Sequence, residues 1–218
     1  MRKDQVAAAG QLYIKNLIAE GEHQQLDFKF AINDSRKIAR SLVAFANTDG
    51  GKLLVGVKDN GAIAGVRSEE EYYMIEAAAQ MYCKPMIPFK VNKWMVDGKT
   101  VLEIDVKKLT NPTFAKDETD KWMAYVRVND QNILANRVLI EYWKRKTKPR
   151  GIFISYSEKE RILINHLAQN AYISASKFSR LAKITYQQAE EVLINLLCLD
   201  VIKIIMAEKG AVYSLISK

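Results

Sequence analysis

Cysteine, histidine and proline are scarce in this chain of 218 residues, which contains two, two and four of them. Cys83 and Cys198 form no C-x-x-C pair and have no histidine cluster beside them, which argues against a structural zinc site. The two histidines, His23 and His166, have no partners at ligand spacing. Isolated thiols are typical of a reducing compartment, and a chain of this length needs no disulfides to hold its core.

Long hydrophobic runs are also missing. No apolar run approaches the roughly 20 residues that span a bilayer, and the charged start, Met1-Arg2-Lys3-Asp4, lacks the apolar stretch of a signal peptide. We therefore expect a cytoplasmic protein with no membrane partner. The sequence also has no Walker phosphate-binding pattern and no detectable Ser-His-Asp or Cys-His arrangement.

Acidic residues are fewer than basic ones. The chain has 33 Lys and Arg against 25 Asp and Glu, a net charge of +8, and its pI is near 9.3. Such a balance favours a polyanionic partner. The excess is concentrated between Arg137 and Arg150, where six basic residues accompany one acid, Glu141.

The segment Leu42–Gly61 organises the rest of the chain. Its pattern predicts the end of an apolar helix, a tight turn at Asn47–Gly51, a buried strand at 53–57 and a hairpin turn at Asn60-Gly61. Residues 62–66 can supply the returning strand. The backbone N–H groups of the first turn could bind an anion, but the preceding helix presents its negative end there, which favours a structural role.

The run AFANTDGGKLLVGVKDNGAIAGV resembles the signature of the Schlafen AlbA-like domain, a domain labelled as DNA-binding in bacterial proteins. The resemblance extends upstream to Glu22 and Leu26-Asp27-Phe28-Lys29, and downstream to Tyr125–Asn129 with Ala135. It implies an α+β fold in which a mixed sheet packs against helices. Binding grooves in this family can be built from two lobes, and this chain has one, so we expect a homodimer.

Flanking patterns complete the predicted organisation. We expect a first domain at 1–147, a linker at 148–151 and a second domain at 152–218. In the first domain we expect strands at 22–30, 89–96, 100–106 and 122–128 and a helix at 132–146. The second domain has predicted helices at 158–169, 174–181 and 186–199 and a hairpin at 201–216, an order that matches a small winged-helix-like domain. Other compact helical arrangements fit the same pattern.

Three acidic residues form the first candidate site. Glu22 and Asp27 lie at the start of one predicted strand and Asp59 at the end of another, and the resemblance to Schlafen nucleases implies an acidic triad at these positions. Converging carboxylates could bind Mg²⁺ or Mn²⁺ and activate water beside a phosphate. The alternative interpretation is a solvated acid at each strand end.

Basic and amide side chains form the second candidate site. Lys29, on the same face as Asp27, could hold a phosphate oxygen, and Lys52 follows the glycine pair. Arg127, with Asn129 and Asn132, could clamp a phosphate at the end of a strand. Arg127 could equally pair with Asp27 or Asp59 and order the edge of the sheet.

The third candidate lies around the domain junction and in the second domain. Lys144, Arg145, Lys146, Lys148 and Arg150 could contact phosphates, or could form a solvated charge run. In a winged helix, the helix after Thr185 would enter the major groove, with Gln187 and Gln188 able to read adenine edges. Because Glu190 and Glu191 repel phosphates, this domain could instead bind protein or form dimers.

Together these patterns predict a protein that binds nucleic acid, DNA rather than RNA, through a basic face. A role in regulating transcription is a further expectation, and no cofactor is required. The alternative function is a metal-dependent endoribonuclease that uses Glu22, Asp27 and Asp59 with Mg²⁺ or Mn²⁺.

Overall fold

The chain divides into two units, residues 1–134 and 135–218. A computed structural model describes the backbone of residues 2–147 and 156–216 and the side chains of 8–147 and 156–216. The predicted linker at 148–151 therefore lies outside the described residues. Within the described ranges, no helix is both long enough and apolar enough to cross a bilayer.

The first unit is an α+β structure built on a mixed four-stranded sheet. Its elements are α1 (Arg2–Glu20), β1 (Leu26–Lys29), α2 (Ser35–Asn47), β2 (Gly51–Val55), α3 (Glu70–Met81), β3 (Cys83–Lys84), β4 (Phe89–Val96), β5 (Lys99–Val106), β6 (Phe114–Lys116), β7 (Trp122–Met123), β8 (Tyr125–Val128) and β9 (Gln131–Leu134). The order in the main sheet is β1-β2-β5-β4. Strand β1 is parallel to β2, and the other neighbours are antiparallel.

Alternation along the strands gives the sheet two apolar faces. Leu53 and Val55 of β2 pack with α2 and α3 in one core cluster, whereas Leu54 packs with Phe28 and the α1 residue Ile14 in another. Helix α2 contributes more residues to the first cluster than any other element, because its whole second half, Ser41–Ala46, is buried. The mixed sheet with packed helices that the sequence predicts is confirmed.

The turn between α2 and β2 has a structural role. Asn47 Nδ2 donates to the carbonyl oxygens of Thr113 and Tyr125, both at 2.9 Å, and Asn47 Oδ1 accepts from the Thr113 backbone N–H at 2.8 Å. Gly50 has a φ of +71°, and a Cβ there would lie 2.8 Å from the Val106 carbonyl oxygen. Only glycine fits this position without strain.

Two predicted elements differ in the structure. The returning strand at 62–66 is reduced to one bridge between Val57 and Ile63, because Gly56, at a φ of +94°, turns the chain out of the extended conformation. The predicted helix at 132–146 begins late. Residues 131–134 form β9, which pairs with β8, and the Asn136 side chain caps the helix that starts at Arg137.

The described part of the second unit contains four helices and a three-stranded antiparallel sheet. Its elements are α4 (Arg137–Lys146), α5 (Glu158–Gln169), β10 (Ile173–Ser174), α6 (Ala175–Ala182), α7 (Tyr186–Cys198), β11 (Ile202–Ala207) and β12 (Gly210–Leu215). The sheet order is β10-β12-β11. Val138 of α4 belongs to the same buried cluster as Leu193 and Leu197 of α7. The boundary between units thus lies before α4, whereas we expected it after residue 147.

We predict that Asn47→Ala lowers the free energy of unfolding by about 2 kcal/mol or more, because it leaves partly buried backbone groups without partners. Urea denaturation followed by tryptophan fluorescence measures this. The matched control is Asn60→Ala, since Asn60 is exposed and accepts one bond, from the Ala62 N–H at 3.1 Å. Equal losses in the two variants would contradict the structural role of Asn47.

Candidate functional site

Arg127 lies inside the first unit and points away from solvent. Its side chain is 1% exposed, and its Nη2 lies 3.3 Å from Oδ1 of Asp27, whose side chain is 4% exposed. The same Nη2 donates to the Leu26 carbonyl oxygen at 3.2 Å, and Nη1 donates to Asn132 Oδ1 at 3.1 Å. The guanidinium also sits over the ring of Phe45 at 5.2 Å. Arg127 therefore fastens β8 to β1. Its Nε makes no hydrogen bond among the described residues, but the guanidinium is too deeply buried to offer a donor face to a phosphate.

The acidic residues are only partly brought together. Glu22 accepts from the Phe28 N–H at 2.8 Å. Its pKa is raised by burial and by the hydrogen bond with Asp27. Burial would raise the pKa of Asp27 as well, but the Lys29 ammonium, the hydrogen bond with Glu22 and the Arg127 guanidinium hold it below its ordinary value. The hydrogen bond between the two carboxyl groups thus raises the pKa of Glu22 and lowers the pKa of Asp27.

Asp59 does not join this pair. It is exposed, and within the described ranges no three His, Cys, Asp or Glu side chains come together in a way that could hold a metal ion. Asp27 already carries two cationic partners, which compete with a divalent metal for its oxygens. The donor set present does not fit the Mg²⁺ or Mn²⁺ site that the nuclease interpretation requires.

Lys29 and Lys52 are each paired with a buried acid. Lys29 Nζ lies 2.9 Å from Asp27 Oδ2, and Lys52 Nζ pairs with Glu103, whose side chain is 1% exposed. Glu103 also accepts from Tyr13 Oη at 2.6 Å and from Trp94 Nε1 at 2.8 Å. Burial alone would raise the pKa of Glu103, but these hydrogen bonds outweigh it and lower the pKa. Both lysines are compensated charges within unit 1.

Asn129 has a turn role. Its φ is +56°, in the left-handed region that Asn tolerates, and its backbone N–H donates to Gln24 Oε1 at 2.8 Å. It lies between β8 and β9, so the helix start that we expected to follow Arg127 is a hairpin. Asn132 donates to Ser41 Oγ at 3.0 Å and accepts from Arg127. The three residues of the predicted clamp are therefore used within unit 1: Arg127 and Asn129 bond to the segment that contains β1, and Asn132 bonds to α2.

The basic stretch of α4 is compensated within unit 2. Lys144 pairs with Glu141 at 2.7 Å, Arg145 with Glu191 at 2.7 Å, and Lys146 with Asp200 at 2.9 Å. These side chains remain partly exposed, but their charge is matched by neighbouring carboxylates. Lys148 and Arg150 lie outside the described residues.

Pairing inside unit 2 leaves a different set of cations uncompensated. Arg137 pairs with Glu190 at 3.3 Å, so both glutamates that we expected to repel phosphates are neutralised by α4. Among the described residues of unit 2, six cations have no carboxylate within ion-pairing distance: Lys159, Lys177, Arg180, Lys183, Lys203 and Lys209. Glu208 is the one acid in the described part of unit 2 that makes neither an ion pair nor a cap.

Three of these cations follow one another along α6 and the residue that ends it. Lys177, Arg180 and Lys183 recur every third residue and are exposed, while Ala175 and Phe178 of the same segment are buried. Helix α6 is joined to α7 by the three residues Lys183–Thr185. The basic face was not predicted from the sequence, although its spacing of three residues was visible there.

The start of α7 presents polar and aromatic groups. Tyr186 is 53% exposed, and Gln187 is exposed beside it. Gln188 takes part in a capping box, in which its Oε1 accepts from the Thr185 N–H at 3.1 Å and its own N–H donates to Thr185 Oγ1 at 3.2 Å. Of the two predicted glutamines, Gln187 is therefore available to a ligand and Gln188 holds the helix start.

The fold and the signature define an AlbA-like domain. A model of the family described as Schlafen, AlbA_2 matches residues 22–136, more than half of the chain. The chain belongs to this family. The match begins at Glu22, just before β1, extends past the end of β9 and stops before α4.

Solved structures show more distant similarity. The DIP2311 protein from Corynebacterium diphtheriae matches at 20% identity and a TM-score of 0.44, over 97% of this chain and 39% of that one. The N-terminal domain of a RecG-related protein from Nitrosomonas europaea matches at 19% identity and a TM-score of 0.34, over 66% of this chain and 90% of that one. The chain thus spans less than half the length of the DIP2311 chain. Comparison with curated proteins gives no match.

We predict that Arg127→Met lowers the free energy of unfolding by about 3–5 kcal/mol, because Asp27 would keep a buried charge after losing its buried cationic partner and would retain only the partly exposed Lys29. Adding Asp27→Leu removes that charge, so the double variant should recover much of the loss. Urea denaturation of the wild type, the two single variants and the double variant forms a double-mutant cycle, which measures the coupling free energy between Arg127 and Asp27.

The control is Lys15→Met, which breaks an exposed pair with Asp97 and should cost less than about 1 kcal/mol. Strictly additive losses for Arg127→Met and Asp27→Leu would contradict a coupled buried pair.

Proposed function

We propose that this protein binds nucleic acid, preferentially duplex DNA, and that unit 2 makes the principal contact. The observation that carries the proposal is the separation of paired from unpaired charges in unit 2. Its carboxylates are matched by α4 and by local pairs, and the uncompensated cations Lys177, Arg180 and Lys183 line α6. A row of unpaired cations is the electrostatic footprint of a phosphate backbone.

The arrangement of α6 and α7 supports a winged-helix mode of binding. Two helices joined by three residues are typical of a helix-turn-helix, in which the first helix crosses the phosphate backbone and the second enters the major groove. In this proposal α6 contacts phosphates, Tyr186 and Gln187 face base edges, and the β11–β12 hairpin is the wing. Lys209 lies in the turn of that hairpin.

DNA is favoured over RNA because an α-helix fits the major groove of B-form DNA, whereas the major groove of A-form RNA is too narrow. The homodimer remains part of the proposal, since two such units can contact half-sites one helical turn apart. A role in transcription would follow from sequence-specific binding of this kind.

The alternative, a metal-dependent endoribonuclease, has weaker support. Glu22 and Asp27 do approach each other, but Asp59 is exposed and outside any group of three donors in the described part of the chain. The lysine that would hold a phosphate, Lys29, is occupied by Asp27. We therefore place binding ahead of cleavage.

We predict that the double variant Lys177→Gln/Arg180→Gln reduces the slope of log Kobs against log salt concentration by about two, because each lost phosphate contact removes about one. Fluorescence anisotropy with a labelled duplex, titrated across salt concentrations, measures the slope. The matched control is Lys144→Gln/Lys146→Gln, which removes the same charge from residues already paired with Glu141 and Asp200.

The control variant should keep the wild-type slope. If the slope falls equally in both variants, binding responds to net charge alone. If the slope of the α6 variant is unchanged, the assignment of the interface to α6 is overturned. A structured RNA measured at the same salt concentration separates the two nucleic acids. Binding of the RNA as tightly as the duplex would overturn the preference for DNA.

A further inference from the structure

An exposed aromatic side chain lies at one end of the sheet in unit 1. Strands β1 and β2 are parallel, so their carboxyl ends lie at the same edge, and Phe30 directly follows β1 there. Phe30 is 43% exposed. Most large apolar side chains of this sheet lie in its two core clusters, so this ring is positioned outside them.

Two cations lie next to the Phe30 ring. Lys58 Nζ is 5.4 Å from its centroid and Arg67 Cζ is 5.9 Å from it, distances typical of cation–π contacts. The two residues come from opposite ends of the loop between β2 and α3. The ring is thus bordered by positive charge from two separate parts of that loop.

Both cations are free of carboxylate partners. Among the described residues, no carboxylate oxygen lies within ion-pairing distance of the side-chain nitrogens of Lys58 or Arg67, whereas nearby Lys29 and Lys93 are paired with Asp27 and Glu69. The Glu71 carboxylate accepts from the Arg67 backbone N–H at 3.2 Å. Asp59 and Glu70 are exposed acids close to these cations in sequence. Arg67 also lines a cleft of about 240 Å³ with Ser68, Lys93 and Thr100.

We propose that Phe30, Lys58 and Arg67 form a stacking platform for an unpaired base of a single-stranded polynucleotide. Bases stack on exposed aromatic rings irrespective of sequence, and flanking cations neutralise the adjacent phosphates. If the cations served only to cover Phe30, the residue would be buried beneath them, but Phe30 is 43% exposed. This site lies on unit 1 and is separate from the duplex contact proposed for unit 2, so either can fail alone.

Fluorescence anisotropy of the full chain with labelled oligo-dT at low salt tests the platform. Phe30→Leu keeps an apolar side chain but removes the ring, and it should weaken binding about tenfold, within the range measured for loss of one stacked base. Phe30→Trp should bind at least as tightly as the wild type. The matched control, Tyr73→Ala, removes an exposed aromatic that has no neighbouring cation–π contact among the described residues and should leave binding unchanged.

A second arm separates this site from the duplex interface. Phe30→Leu should leave duplex binding intact, while Lys177→Gln/Arg180→Gln should weaken duplex binding and spare oligo-dT. Thermal unfolding of each variant confirms that it is folded, and Lys58→Gln, which leaves the ring in place, should reduce the salt slope for oligo-dT by about one.

Several outcomes would overturn the proposal. Equal oligo-dT affinity in Phe30→Leu and Tyr73→Ala would show that the Phe30 ring does not contribute to binding. Parallel losses of oligo-dT and duplex binding would place both ligands at one interface. Displacement of oligo-dT by an equimolar amount of ATP would assign the ring to a mononucleotide. Binding of oligo-rU at equal affinity supports the platform, because stacking does not depend on the sugar.

Discussion

The buried contact between Arg127 and Asp27 is the interaction on which the first unit depends. It joins two residues that are 100 positions apart in the chain, and it connects the short β8–β9 hairpin to the edge of the main sheet. Asn132 and Ser41 extend the same network to α2. A buried charge is tolerated only when it is paired and hydrogen-bonded, so these residues are committed to holding the fold and are removed from the surface that a ligand can reach.

Because many basic side chains are paired inside the fold, the net charge does not show which of them a ligand can contact. The chain carries a net charge of +8, but in both units much of the positive charge faces a carboxylate at close range. Lys52 faces Glu103 and Arg145 faces Glu191. The charges that remain uncompensated, such as Arg180 in unit 2 and Lys58 in unit 1, lie outside the basic cluster around α4 that stands out in the sequence. A phosphate backbone responds to the uncompensated set.

Local patterns in the sequence predicted most helices and strands. Contacts between residues distant in the sequence determine which side chains are available to a ligand. The α7 start at Tyr186 followed from Thr185, whose capping box is local, and strands β4 and β5 lie where strands were expected, at 89–96 and 100–106. The strand β9 was missed because its apolar residues fit a helical spacing equally well, and only pairing with β8 selects the extended form. The direction of Arg127 could not be predicted either, since it depends on Asp27, and Arg145 is matched by a glutamate 46 residues away.

The most direct test of the account is a map of lysine reactivity, measured by amine labelling and mass spectrometry with and without duplex DNA. The central claim is that uncompensated cations, and not those paired within the fold, meet the polynucleotide. The account predicts that DNA protects Lys177 and Lys183 and leaves the labelling of Lys29 and Lys52 unchanged. Protection of Lys29 and Lys52, with no change at Lys177 and Lys183, would contradict it.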